Sequence, residues 1–446
     1  MKKLYSLTAS QDVVRLQCKY TLFKRVVNII SSVKTKKHLD FKLLEKSFNL
    51  LVERNDCLRI RFVKYKGQLK QYFEEKVDYY NVPILEFKTE NEQEKFLDKL
   101  RKKAIKYQKG VVIEPYFIKT FDGKNMILFK VCHLILDMYG LNMIYKDFLE
   151  IYKSLSEDKP LPKKLEDFEK VVIKEEENNR KEDTYKKDLE FFKNILDSNE
   201  EPYYAGIQPQ DEPIWKKQMK KGKRAMKMFF IQNDTLGYEH KIDREILQKV
   251  EKFATDNKMS LPNIYFYAMA LCSAKINNFK NILPLQLCNC RGNALDKNTA
   301  GTKVQSVGTY LNIDYDKTFM ESIEEFNKYN FTLFRHLSFP DQDFEMLLHK
   351  TYGSSMLETY YHLTFSFIPF VMPKDFEFNI YSNKKCALPC YIGLMYDFEN
   401  GSALVNYDVQ TKIISENDVA TFHKRYMKLL NEIAENPNIK IKELNI

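Results

Sequence analysis

Apolar residues recur along the chain in two rhythms, one helical and one of strict alternation. In "DFKLLEKSFNLLVERN" (40–55), Phe41, Leu43, Leu44, Phe48 and Leu51 fall at helical spacing, and Asp40 stands where an N-cap is needed. "LRIRFVKYKGQLKQYFEE" then alternates about Lys66–Gly67, which predicts a hairpin. "EPYFIKTFDGKNMILFKVCHLIL" predicts a second hairpin, with Asp122–Gly123 at its turn and its return strand ending at His133. Beyond Gly140, the residues Leu141, Ile144, Tyr145, Phe148 and Tyr152 share one helical face. The order is strand, short loop, helix, with His133 and Asp137 at the junction. Side chains at such a junction can face a cleft, which a mid-strand residue usually cannot.

A polar, charge-dense stretch follows, including "EDFEKVVIKEEENNRKEDTYKKDLEFFKNIL". Residues 176–225 are expected to be a charged helical and loop connection between an N-terminal lobe (1–175) and a C-terminal lobe (226–446). In the second lobe, "DREILQKVEKFATDNK" predicts a capped helix. "SLPNIYFYAMALCSAKIN" predicts an apolar helix opened by Ser260, with Pro262 in its first turn. Strand patterns come next at "ILPLQLCNC", "YYHLTFSFIPF" and the pair "YIGLMYDFENGSALVNYDV", hinged at Asn400–Gly401. A helix in "SENDVATFHKRYMKLLNEIAEN" closes the sequence. Each half is a strand-rich layer covered by helices, an α/β sandwich repeated once.

Composition narrows the choice of function. With 446 residues, 44% of them hydrophobic, and with 28 Tyr and 32 Phe, the chain can bury two aromatic cores. It contains no run of eighteen apolar residues, so no membrane span is expected. The first residues carry two lysines but no apolar signal segment, so a cytoplasmic protein is expected. Of the eight cysteines, "CNC" (288–290) and "CALPC" (386–390) are the only close pairs. Neither has zinc-knuckle spacing, so free thiols and no metal are expected. The net charge of +10 is concentrated in lysine clusters such as "KTKK" (34–37) and "KKQMKKGKR" (216–224). No nucleic-acid-binding signature accompanies them, and a solvated surface suited to a small acidic protein is the expectation.

The ordered motifs resemble the condensation domains of nonribosomal peptide synthetases, within the chloramphenicol-acetyltransferase-like superfamily. The family's HHxxxDG motif is similar to "CHLILDM" (132–138), and its opening SxAQ to "TASQ" (8–11). "ERNDCLRIRF" (53–62) resembles RHExLRTxF, and "EDFEKVV" (166–172) stands in the place of the DYxxW helix. "SVGTYLN" (306–312) is similar to VGxFxN, with "CNCRGN" shortly before it. "HLSFPDQDFEMLL" (336–348), "YYHLTFSF" (360–367) and "ENGSALVNYD" (399–408) echo the later motifs. The resemblance covers essentially the whole chain and rests on the order and spacing of these segments together.

That resemblance implies two acetyltransferase-like α/β sandwich lobes arranged in a V with a central tunnel. It implies a stand-alone enzyme that joins a carrier-bound acyl thioester to an amine acceptor. Substrates would arrive on the phosphopantetheine of acyl or peptidyl carrier proteins acting in trans, with no bound cofactor, and a monomer is expected. His133 would be catalytic, since an imidazole with a pKa near about 6.5 can take the proton an attacking amine must lose. Asp137 is expected to pair with Arg59 and hold the loop. Two positions depart from the family pattern. Cys132 replaces the first histidine and is expected to pack behind the loop. Met138 replaces the glycine and is expected to narrow the tunnel or shift the loop, with Gly140 restoring backbone freedom. Tyr139, Asn312, His362 and Ser366 join Met138 as candidate tunnel-lining residues. His38, His240, His336, His349 and His423 have no comparable setting. Three other readings stay open: Cys132 as a nucleophile with His133 as its base, an acyl-CoA-dependent O- or N-acyltransferase, and a catalytically degenerate relative that only docks carriers.

Overall fold

A computed structural model describes residues 2–19, 23–178, 182–209, 222–228, 234–371, 373–386 and 388–446. Residues 216–221 of the basic cluster lie outside the described residues, as do parts of the expected 176–225 connection. The chain divides into two units. The first comprises 1–181, 289–305 and 370–385; the second comprises 182–288, 306–369 and 386–446. The charge pattern predicted one crossing between lobes, whereas two segments from the C-terminal half belong to the first unit. The reason is structural: Glu377–Tyr381 is an edge strand of the first unit's sheet, and 289–305 supplies groups that hold a loop there.

In the first unit, helix α1 (Ala9–Lys19) precedes β1 (Asn28–Thr35) and α2 (Phe41–Arg54). Asp40 caps α2 by accepting from the N–H groups of Lys42 and Leu43, as its position predicted. The first predicted hairpin is β2 (Ile60–Tyr65) and β3 (Gln68–Phe73), turning at Lys66 (φ 48°) and Gly67 (φ 78°). Then come β4 (Ile84–Glu86), α3 (Glu90–Lys102), and the second hairpin, β5 (Ile113–Lys119) and β6 (Asn125–Cys132), with Gly123 at φ 76°. Helix α4 (Met138–Ser156) follows at once, and α5 (Phe168–Asn178) later.

The first unit's sheet runs in the order 377–381, β1, β6, β5, β4. Strand β6 is central and buried on both faces, which is why it reads as a continuous apolar run. Ile127, Phe129 and Val131 belong to the main core, in which Phe48 of α2 and Tyr145 and Phe148 of α4 also lie. Phe129 sits 4.7 Å from Tyr145 and 5.5 Å from Phe48, ring to ring. Met126 and Leu128 meet a smaller cluster with Leu97 and Leu100 of α3 on the other face. Between these two layers β6 has little freedom to shift, and its last residue stands next to His133.

The second unit has a six-stranded sheet in the order 304–308, 285–289, 363–370, 390–397, 402–410, 235–241. The predicted 390–397/402–410 hairpin is present, with Gly401 at φ 58°. The helix Leu261–Asn277 starts after Ser260 as predicted and is buried almost throughout. Asp243 stands at the N-cap of Arg244–Asp256 but makes no side-chain bond there, unlike the cap expected. Ser415 forms a full capping box on the helix Glu416–Glu435. Among the described residues no helix is long and apolar enough to cross a membrane, and no group of three or more His, Cys, Asp and Glu could hold a metal.

Candidate active site

The loop between β6 and α4 is five residues long and fastened at several points. The His133 N–H still bonds to the Val27 carbonyl at 2.7 Å, so the residue continues the edge of the strand ladder. The Ile135 N–H turns back to the Cys132 carbonyl at 2.9 Å. Asp137 then caps α4, its Oδ1 accepting from the Gly140 N–H at 2.8 Å.

Arg291 grips the same carboxylate with both ends of its guanidinium, Nη1 to Oδ2 at 2.8 Å and Nη2 to Oδ1 at 3.0 Å. The Lys303 N–H adds a bond to Oδ2 at 2.8 Å. Both side chains are almost fully buried, at 2% and 6% exposure for Arg291 and Asp137. Burial alone would raise the carboxyl's pKa. The guanidinium and the N–H donors outweigh it and hold Asp137 below its ordinary value. Arg291 also donates to the Gly301 carbonyl at 2.7 Å and lies over the Tyr139 ring at 4.5 Å.

This corrects the expected Asp137–Arg59 pair. Arg59 Nη1 is spent on the carbonyls of Glu74 and Glu75, at 2.5 and 2.8 Å, where it closes the end of the β2–β3 hairpin. The one sequence signal for Arg291 was "CNCRGN", an arginine placed at the end of an apolar strand.

His133 is half-buried, with its Nδ1 fully covered. Burial pushes the imidazole below its ordinary pKa and outweighs the main-chain groups of His133 and Leu136 and the Asp137 charge, which favour the proton. The ring is therefore neutral near pH 7 and able to accept a proton. Cys132 is fully buried in the first unit's core, and burial drives its thiol pKa far up. Such a thiol is inert, so the nucleophilic reading of Cys132 is dropped. Met138 is the first residue of α4 and packs, half-buried, against that same core.

Gly140 has another role than the one expected. Its backbone needs no glycine conformation; a Cβ there would meet the Gly301 carbonyl oxygen at 2.8 Å and the Gly301 nitrogen at 2.9 Å. Gly301 is backed in turn by the Phe168 ring, which occupies the space its own Cβ would need. Two glycines thus let the start of α4 and the 289–305 segment touch backbone to backbone.

The remaining candidates belong to the second unit. His362 is buried, 2.9 Å from the Tyr204 hydroxyl through Nδ1, and burial pushes its pKa down to about 3. Ser366 sits half-buried opposite Leu287 in the sheet, and Asn312 is exposed beside Asn281. Thr302 carried no signal of its own in the sequence, and Gln11 only that of the "TASQ" motif it ends, yet both contact the His133 loop directly. Gln11 Nε2 donates to the Leu134 carbonyl at 2.9 Å, and Thr302 Oγ1 to the His133 carbonyl at 2.5 Å.

His133 thus stands on a short strand-to-helix loop of the first unit, held by the Asp137–Arg291 pair and by bonds to its main chain. Residues 1–446 match the condensation domain family, and the chain belongs to it, a family of amide-bond-forming acyltransferases of nonribosomal peptide synthesis. A plipastatin synthase of Bacillus subtilis (strain 168) is 20% identical over 99% of this chain. Bacitracin synthase 3 of Bacillus licheniformis is 21% identical over 73% of it. The chain spans only 17% and 5% of those two relatives. Among solved structures, the first condensation domain of the calcium-dependent antibiotic synthetase superposes with a TM-score of 0.80 at 15% identity, over 99% of both chains. The starter condensation domain of rhizomide synthetase also gives 0.80, at 13% identity, over 99% of this chain and 97% of that one. These likenesses establish the fold: a mixed α/β chain of two acetyltransferase-like lobes.

Proposed function

We propose that this chain joins an acyl group, held as a thioester on the phosphopantetheine of a carrier protein, to an amine acceptor, with His133 as the base. The amine nitrogen bonds to the thioester carbonyl carbon, the carbon–sulfur bond breaks, and the products are an amide and a free thiol. The proton lost by the amine passes to the imidazole and from there to the departing sulfur. A positioned proton acceptor of this kind contributes roughly 10²–10⁴-fold. The observation that carries the reading is the half-buried, neutral His133 on a loop fastened by the Asp137–Arg291 pair. Asp137 is structural here: both its oxygens are filled, so it has no lone pair to offer a substrate.

One finding favours a second donor. A fold neighbour, the rhizomide starter domain, was solved with C8-CoA and Leu-SNAC. Soluble acyl-CoA is therefore the alternative acyl source for this chain.

Single-turnover transfer followed by intact-protein mass spectrometry separates the two. Acyl carriers supplied as separate proteins and acyl-CoA thioesters are offered with a panel of amines, to wild type and to His133→Ala. Carrier deacylation with amide formation, lost in the variant, supports the proposal. Transfer from CoA alone moves the reading to the soluble donor, and inertness on both leaves a relative that only docks carriers.

A further inference from the structure

Strand pairing on β6 stops at Cys132, which leaves the next two carbonyls, those of His133 and Leu134, without a sheet partner. Each finds a side chain instead. Thr302 Oγ1 donates to the first at 2.5 Å and Gln11 Nε2 to the second at 2.9 Å. Both residues are buried, with no measurable exposure.

Gln11 is itself held without slack. Its Oε1 accepts from the Thr8 N–H at 2.9 Å and from Gln71 Nε2 at 2.7 Å, while its Nε2 also donates to Gln71 Oε1 at 2.8 Å. A main-chain N–H can only donate and a carbonyl can only accept, so Thr8 and Leu134 fix which way the Gln11 amide points. Gln71, equally buried, is anchored on the Ser6 carbonyl at 2.8 Å. Two buried amides carry a desolvation cost that a pair of apolar residues would not. That cost is unnecessary for core packing but suits a fully satisfied network that sets one loop position. Thr302 adds a second constraint, because the next residue, Lys303, donates its N–H to Asp137. One short segment thus holds both ends of the loop, at the His133 carbonyl and at the Asp137 carboxylate.

We infer that Gln11, oriented by Gln71, and Thr302 are positioning residues for His133, fixing its ring through two consecutive carbonyls of the loop. The inference rests on the reading of His133 as the base for its functional meaning, but not for its test.

That test follows the imidazole Cε1–H signals of the full chain, labelled with carbon-13 at histidine, as pH is varied. His133→Gln assigns the signal by its loss. Thr302→Val removes the hydroxyl donor at nearly constant volume, Thr302→Ser restores it, and Gln71→Met frees Gln11 without touching the loop. Asp137 is the charged group acting on the ring, and its bonds to Arg291 and Lys303 are untouched by these changes. The expected result is that the His133 midpoint moves up by about half a pH unit or more in Thr302→Val and Gln71→Met, as the loosened loop admits water. It returns in Thr302→Ser, and the other six histidines hold their midpoints. An unmoved His133 midpoint in variants whose melting temperature has dropped overturns the inference and leaves a core network only. Parallel single-turnover assays keep the two readings apart. A shifted titration in an inert enzyme sinks the base but not the positioning. An unshifted titration in an active enzyme sinks the positioning alone. If both hold, kcat falls roughly 10- to 100-fold in Thr302→Val, with KM little changed.

Discussion

At the scale of single residues, His133 and the Asp137–Arg291 pair make opposite demands on pH. The folded pKa of His133 lies below its ordinary value, so its imidazole stays neutral further into acid than a free one. The acid limb of kcat/KM is therefore expected below about pH 6.5, and a limb at or above that value would count against His133 as the base. The same sign costs stability: below about 6.5 the unfolded chain takes up this proton before the folded one does. Asp137 runs the other way. Its pKa is depressed on folding, so its contribution is complete above about pH 3.9 and is lost as pH falls through the folded value. Arg291→Ala leaves a buried carboxylate without its counter-charge and is expected to destabilise by about 3–5 kcal/mol in urea titrations. Arg291→Lys should recover only part of that, because an ammonium cannot reproduce the two-point grip. Arg59→Ala should leave the carboxylate clamp intact, which separates the two arginines in one experiment.

Among elements, the β6–α4 junction depends on packing that fixes where β6 ends. Phe48 has no exposed surface and touches the rings of Phe129 and Phe148, so Phe48→Ala is expected to cost about 3–5 kcal/mol by chemical denaturation. Gly140→Ala pushes a methyl into the Gly301 backbone, which cannot yield as a side-chain tip can. A loss of about 1–3 kcal/mol and a lower melting temperature are expected. Much of this level was legible in the sequence, because its causes are local. Lys66–Gly67, Asp122–Gly123 and Asn400–Gly401 mark turns by their own backbone demands, and Asp40 and Ser260 mark helix starts. His133 and Asp137 could be placed at the junction for the same reason. What pairs with Asp137 could not be read this way. Arg291 is 154 residues away, and no periodicity connects the two. Arg59 was the nearer choice by family pattern, and local hydrogen bonding had already claimed it. Gly140 was misread because close approach and backbone freedom ask for the same residue, and only the Gly301 contact separates them.

For the molecule as a whole, membership of the condensation family accounts for the two-lobed α/β fold and directs attention to thioester donors and amine acceptors. The division into units adds a point that composition concealed. Residues 1–181 do not contain Arg291, Thr302 or the strand 377–381, all of which belong to the first unit. Expressed alone, that fragment is expected to lose the clamp on Asp137, expose the edge of β1 and aggregate. A soluble, cooperatively melting 1–181 would contradict this. The same threading bears on how the protein is made. When residue 181 leaves the ribosome, β1 already has β6 on one side and nothing on the other. The strand that will cover that open side, 377–381, is still roughly 200 residues from being synthesised. At about 5–20 residues per second that gap lasts roughly 10–40 s. For that interval the nascent chain carries an open sheet edge, and for roughly the first half of it, until Arg291 is made, Asp137 lacks its arginine. The His133 loop is therefore among the last parts of the first unit to settle, and chaperone supply during translation bears directly on the yield of folded enzyme.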